Sequence, residues 1–238
     1  MGLIVQPTPT TLYTSNPTGN LDEPVGAQDG NLQFIIQNTN VSGFTKPAGW
    51  LDVPIPSVYV GLTLWWGIRG IHFAGGTEAL TGNVNAANLM RYEVTGDVDE
   101  NCVILAAEES WPDGEFAGSG YAYSPAIDLS AYPNRPRILG TFGGQIDVPG
   151  PFASFQGNSG MSDTPVVNRL QAGSAQDDNV SFLFNFYEDK AAAQAQNGRH
   201  RYYVYQPHDN SHRSAMANFV IIAPEKQQTD ILTPPPLF

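Results

Sequence analysis

The 238-residue chain is poor in cations. Eleven Lys and Arg stand against 23 Asp and Glu, a formal charge of −12, and only Lys46, Lys190 and Lys226 are lysines. A basic stripe neutralises a phosphate backbone, so its absence argues against direct nucleic-acid contact. Charged residues of both signs make up 14% of the chain, against about 25% in an average soluble protein. The polar surface therefore falls to Asn, Gln, Ser, Thr and Gly. Cysteine is nearly absent: Cys102 stands alone, which excludes an intrachain disulfide framework. Its neighbours, CVILAA, place it in a buried strand as a small hydrophobe. The N-terminus, MGLIVQPTPTTLYTS, lacks the basic and long apolar regions of a signal peptide. Position 6 is Gln where myristoylation needs Ser or Thr. Synthesis in a cytoplasm without signal-directed export is expected, and the two glycosylation sequons, at Asn40 and Asn179, are read as chance. With 24 Gly and 19 Pro, long helices are not expected. No Gly-rich phosphate loop, CxxC pair or paired-carboxylate motif calls for a cofactor.

A long charge-free apolar run is missing too. The most apolar stretch, SVYVGLTLWWGIRGIHFAGG (57–76), is broken by Arg69, His72 and three internal glycines, so it does not meet the demand of a membrane-spanning helix. From Leu62 the residues alternate: Leu62, Leu64, Trp66 and Ile68 share one face, and Thr63, Trp65, Gly67 and Arg69 the other. That period predicts a core strand, bent near Gly67 or Gly70. A ligand platform is the alternative use of its tryptophans.

The same signature recurs. LQFIIQ (32–37), LMRYEVT (89–95), CVILAA (102–107), GYAYS (120–124), RILGTF (137–142), VSFLFNFYE (180–188), RYYVYQ (201–206) and ANFVIIA (217–223) are short and rich in β-branched or aromatic residues. The predicted fold is all-β: one antiparallel β-sandwich or jelly-roll-like domain over 32–224, with long loops at 108–119 and 146–179. One short helix is expected near 188–197, where EDKAAAQAQNG ends in a left-handed Asn-Gly stop. Residues 1–31 are read as an extended N-terminal arm and 225–238 as a Pro-rich C-terminal arm. Both hold little to bury and are expected to be fixed by neighbouring subunits through Leu12, Tyr13, Leu21, Leu232, Pro235, Leu237 and Phe238. The loop aromatics Trp111, Phe116, Phe152 and Phe155 are candidate partner contacts.

Four chemistries have candidate residues in the chain. In QGNSGMSDTPVV (156–167) Ser159 resembles the nucleophile segment of chymotrypsin-like proteases, and His72, Asp97 or Asp99, and Ser159 follow that family's chain order. The resemblance implies a base, an orienting acid and a nucleophile, but Asn158 and Met161 replace the family's Asp and second Gly, and a loop is the default reading. DVDENCVILAAE (97–108) matches a calcium loop at Asp97, Asp99, Asn101 and Glu108, with Cys102 where the turn requires Gly. His200, His208 and His212 lie near Asp209, and Arg199, Arg201 and Arg213 make this region the one locally basic patch, suited to an acidic neighbour. Exposed aromatics beside acids, as in ESWPDGEF and GYAYSP, fit a host surface glycan.

The motifs assign the chain to no family and give no reason to read it as an enzyme. Its character (acidic, Lys-poor, β-rich, with proline-bearing arms) resembles that of virion structural proteins: capsid shell, decoration and spike components. The resemblance implies location in a virion and partnership with other copies of itself and other virion proteins. A carbohydrate-binding or adhesin module is the alternative, and a serine hydrolase the third.

Overall fold

A computed structural model describes residues 3–6, 8–14, 16–39, 43–55, 61–84, 87–111, 122–123, 127–132, 135–146, 167–173, 180–189, 201–202 and 213–225. Over these the chain is all-β, with no helix, and every pairing between strands is antiparallel. The first nine strands are β1 (Leu3–Val5), β2 (Thr10–Thr14), β3 (Thr18–Leu21), β4 (Leu32–Thr39), β5 (Gly43–Phe44), β6 (Leu51–Val53), β7 (Gly61–Ile68), β8 (Glu78–Asn83) and β9 (Ala87–Gly96). Then follow β10 (Val103–Trp111), β11 (Ala122–Tyr123), β12 (Arg137–Ile146), β13 (Val167–Gly173), β14 (Val180–Asp189), β15 (Arg201–Tyr202) and β16 (Arg213–Ile222).

A six-stranded sheet runs β1-β9-β4-β7-β6, with β2 also on β9. A five-stranded sheet runs β10-β16-β12-β14-β13, a three-stranded one β3-β8-β5, and β11 pairs with β15. Strands β4 and β9 sit centrally and are buried along almost their whole length. Alternation divides their side chains. Leu32, Phe34 and Ile36 of β4, with Met90, Tyr92 and Val94 of β9, join Leu62, Leu64 and Ile68 of β7 in one core cluster. Ile138, Ala217, Phe219 and Ile221 of the five-stranded sheet belong to that same cluster. Each such apolar side chain contributes about 1.5–3 kcal/mol on burial. On the opposite face Ile35, Trp65, Ala87 and Leu89 pack with Leu21, Phe44, Trp50, Phe73 and Leu80. The three-stranded sheet and its connections supply most of this cover.

The most apolar stretch is therefore a core strand over Gly61–Ile68, and it ends in a turn at Gly70, where φ is +82° and a side chain would be strained. No helix among the described residues is long and apolar enough to cross a membrane.

Several expectations are corrected. Within residues 1–31, the described strands lie against the chain's own sheets. β1 and β2 both pair with the outer edge of β9, Leu3, Val5 and Leu21 are buried, and Leu12 packs on the second core cluster. Tyr13 lies in β2, opposite Asn88. The backbone satisfies itself against an edge strand, so a polar segment settles with few apolar anchors. The loop expected from 108 begins later, because β10 continues through Trp111 in register with β16. The stretch 146–179 contains β13. The helix expected near 188–197 does not start there, since β14 runs through Asp189. Residues 190–200 lie outside the described residues, as does the C-terminal arm from 226 with Leu232, Pro235, Leu237 and Phe238.

Candidate functional site

The densest polar constellation among the described residues lies beneath the three-stranded sheet, on the second face of β4 and β9. Its centre is Arg91, whose side chain is fully buried. Alternation with Met90 and Tyr92 turns it away from the apolar core. Its Nε donates to Gln33 Oε1 at 2.8 Å, and one terminal nitrogen donates to the carbonyls of Gly76 (2.6 Å) and Leu21 (3.4 Å). The other faces the Oε1 atoms of Glu23 at 3.5 Å and Glu78 at 3.9 Å. The guanidinium carbon lies 5.3 Å from the Trp50 ring and 5.5 Å from that of Phe73, within cation–π range. Those two rings stack at 4.4 Å and 10°. Trp50 Nε1 donates to Glu78 Oε1 at 3.0 Å, which satisfies the buried indole.

Glu23 is the second hub. It accepts from Gln33 Nε2 (3.0 Å), Arg69 Nε (2.8 Å) and the Gly76 amide (3.0 Å). Burial pushes its carboxyl up, but the Gly76 amide, Gln33, Arg69 and Arg91 together outweigh that and hold it below its ordinary value. Arg69 also pairs with Asp29. Gln33 Nε2 further donates to Glu93 Oε2 at 3.1 Å, and Asn31 Nδ2 to Glu93 Oε1 at 2.7 Å. Burial lowers the Arg91 pKa most, and Glu78 and Glu23 work against it. The guanidinium stays charged in any case. Chemically the arrangement is a clamp. Its donors are engaged and its carboxylate is held ionised, so it fastens the β3–β4 connection (Glu23, Asp29, Asn31) to β4, β7 and β9.

The sequence-predicted residues are scattered. His72 sits in the turn after β7, where its Nδ1 accepts the Ile68 amide at 2.8 Å. A neutral imidazole with Nδ1 accepting carries its proton on Nε2, the wrong tautomer for a general base at that nitrogen. Ser159 lies outside the described residues. Asp97, Asp99 and Asn101 form the β9–β10 turn, with Asp99 Oδ1 accepting the Asn101 amide at 2.6 Å. A strand rather than a helix follows, so Glu108 stands roughly 20 Å along β10 from that turn at 3.3 Å per residue. Among the described residues no group of three His, Cys, Asp or Glu side chains is placed to hold a metal ion. Burial raises the Cys102 thiol pKa above its ordinary value, which makes it unreactive.

Trp111 is the last residue of β10, and Phe116, Phe152 and Phe155 lie outside the described residues. Of the basic patch, Arg201 opens β15 and Arg213 opens β16, while Arg199 and the three C-terminal histidines lie outside the described residues. Arg91, Glu23, Glu78, Gln33 and Trp50 went unnoticed in the sequence. The signal was Arg91 and Glu93 alternating with Met90, Tyr92 and Val94, a pattern that reads as a solvated strand face. A shallow groove of about 310 Å³ between β6 and β7, lined by Val53, Pro54, Ile55, Leu62 and Trp65, has a mainly apolar wall.

Compared with protein-family models, curated proteins and solved structures, the chain matches none.

Proposed function

We propose that the chain is a structural protein of a virus or phage particle, a capsid-shell, decoration or spike component, and that it self-assembles through a β-sandwich of jelly-roll type. The sandwich reading draws on the core shared by the two larger sheets, across which Phe34 and Phe219 approach to 5.9 Å between ring centroids. What carries the assembly reading is the N-terminal attachment. β1 and β2 lie end to end on the outer edge of β9, from Leu3↔Gly96 to Thr14↔Ala87. Strand addition to an edge is backbone chemistry that any copy of the edge accepts. The same segment that closes its own sheet can close a neighbour's, provided the connection through residues 15–17 re-aims it. The charge of −12 suits a position away from the genome.

The test is removal of residues 1–14, which stops short of the buried Leu21 and the clamped Glu23. The expected result is a folded domain by circular dichroism, with a lower melting temperature and no oligomer by mass photometry or negative-stain microscopy. A peptide of residues 1–14 added in trans should bind and restore the melting temperature. An intact chain that remains monomeric at high concentration rejects the reading.

A further inference from the structure

Among the described residues, strand β10 is one edge of the five-stranded sheet. It pairs with β16 without a bulge over nine residues, Val103↔Ile222 to Trp111↔Ser214. Natural edge strands are blunted by lysines, prolines, bulges or short length, because a straight edge is a template for another strand. β10 (VILAAEESW) has none of these from Val103 through Ala107, which is wholly apolar, and its charges, Glu108 and Glu109, follow that stretch. Ile104 and Ala106 pack on the main core. Val103, Leu105 and Ala107 therefore stand on the opposite face, and all three are partly exposed.

A cation sits at the start of this edge. Arg135 reaches across the end of β16, where its Nε donates to Ala223 O at 2.6 Å, and a terminal nitrogen donates to Asn101 O at 3.3 Å. It acts electrostatically on Cys102. Among the described residues no carboxylate lies within ion-pair distance of it. The strand's own acids, Glu108 and Glu109, stand toward its other end.

We infer that two copies of the chain join β10 to β10, antiparallel, about a two-fold axis at Leu105. This rests on the self-assembly reading above and specifies one of its contacts. In that register Leu105 meets its own counterpart and Val103 meets Ala107. Positions 108 and 109, both glutamates, fall opposite Cys102 and Asn101, beside the Arg135 of the other copy. Opposite charges across a strand pair stabilise it and like charges oppose it. An axis at Ala107 sets Leu105 against Glu109 and leaves Arg135 unmatched, and an axis at Glu108 or at Glu109 sets that glutamate against its own counterpart. The charges select the Leu105 axis, and the two five-stranded sheets become one continuous sheet.

Disulfide trapping tests the register in the full chain carrying Cys102→Ala. With Leu105→Cys added, the two thiols face each other with Cα atoms about 5 Å apart, within disulfide reach. Oxidation should give a covalent dimer on a non-reducing gel. Val103→Cys alone should give none, because its own counterpart is about 13 Å away along the strands. Mixing the Val103→Cys and Ala107→Cys proteins should give the mixed dimer. Leu105→Lys, with an unchanged circular dichroism spectrum, should lower the assembled mass. An assembling protein in which Leu105→Cys stays uncrosslinked, or Val103→Cys crosslinks with itself, overturns the β10 contact and leaves the assembly reading standing. A protein that never assembles overturns both.

Discussion

On one face of β4 and β9 the centre is made of Leu32, Phe34, Ile36, Met90, Tyr92 and Val94, packed toward Phe219 and Ile221. On the other face of the same two strands Gln33, Arg91 and Glu93 are interleaved with Ile35 and Leu89. Both faces are closed from water, so burial does not distinguish them; direction does. The apolar face gains from every area covered, whatever its detailed geometry, and would accept a volume-conserving replacement. The polar face gains only if each donor meets its acceptor, and losing one partner leaves a buried group unsatisfied. The polar face therefore decides where one connection goes. Residues 22–31 have one backbone path that brings Glu23, Asp29 and Asn31 to Arg91, Arg69 and Glu93.

The contrast can be broken from either side. Phe34→Ala should cost roughly 3–5 kcal/mol through lost transfer energy and a cavity, and denaturant titration should return the same loss at neutral and acidic pH. Arg91→Ala should cost a similar ~3–5 kcal/mol at neutral pH, because Glu23 and Glu78 lose their compensating charge. That loss should shrink in acid, where Glu23 is protonated. An equal loss at both pH values would mean that packing rather than charge sets the role of Arg91.

Glu23→Gln comes next, at about 1–3 kcal/mol, the cost of weakening a partly buried acceptor. Its sign with pH is determined. The folded carboxyl lies below its ordinary value of 4.5, so the stability it contributes is complete above that range and is lost as pH falls through the lower, folded value. The Gln variant should show a shallower acid limb than the parent, and an unchanged limb would place the titration elsewhere. Trp50→Phe keeps the ring stacked on Phe73 and removes the indole donor to Glu78. It should cost only about 0.5–1.5 kcal/mol, read as a small shift in thermal midpoint.

A backbone counterpart sits beside this face. Gly49 has φ +85°, and a Cβ there would stand 1.9 Å from His72 O. The Trp50 ring is thus delivered by a turn that only glycine makes comfortably.

Much of the strand pattern was legible. Alternation in LQFIIQ, LMRYEVT and the stretch from Leu62 marks β4, β9 and β7, and β7 divides its two tryptophans as expected: Trp65 enters the second cluster and Trp66 packs against the first. The N-terminal strands were not legible. β3 is Thr-Gly-Asn-Leu, with no β signature except one anchor, because pairing with an edge uses the backbone, and backbone donors leave no mark on composition. The CVILAA strand runs further than its composition suggests for a related reason. Glu108, Glu109 and Ser110 read as polar loop residues, but β16 offers hydrogen-bonding partners through Trp111.

The clamp is not legible in the sequence for a different reason. Period two states that Arg91 and Glu93 share a side; it does not state what lies over that side. Composition and periodicity alone settled the β class, the net negative charge and which residues travel together on a strand, because those depend on composition or on neighbours within a few positions of the chain. Only the tertiary structure decided that the polar side of β9 is roofed, that β1 and β2 pair with β9, and that β10 ends its sheet among the described residues. Each of those depends on which distant segment arrives, and a residue's own side chain does not encode that.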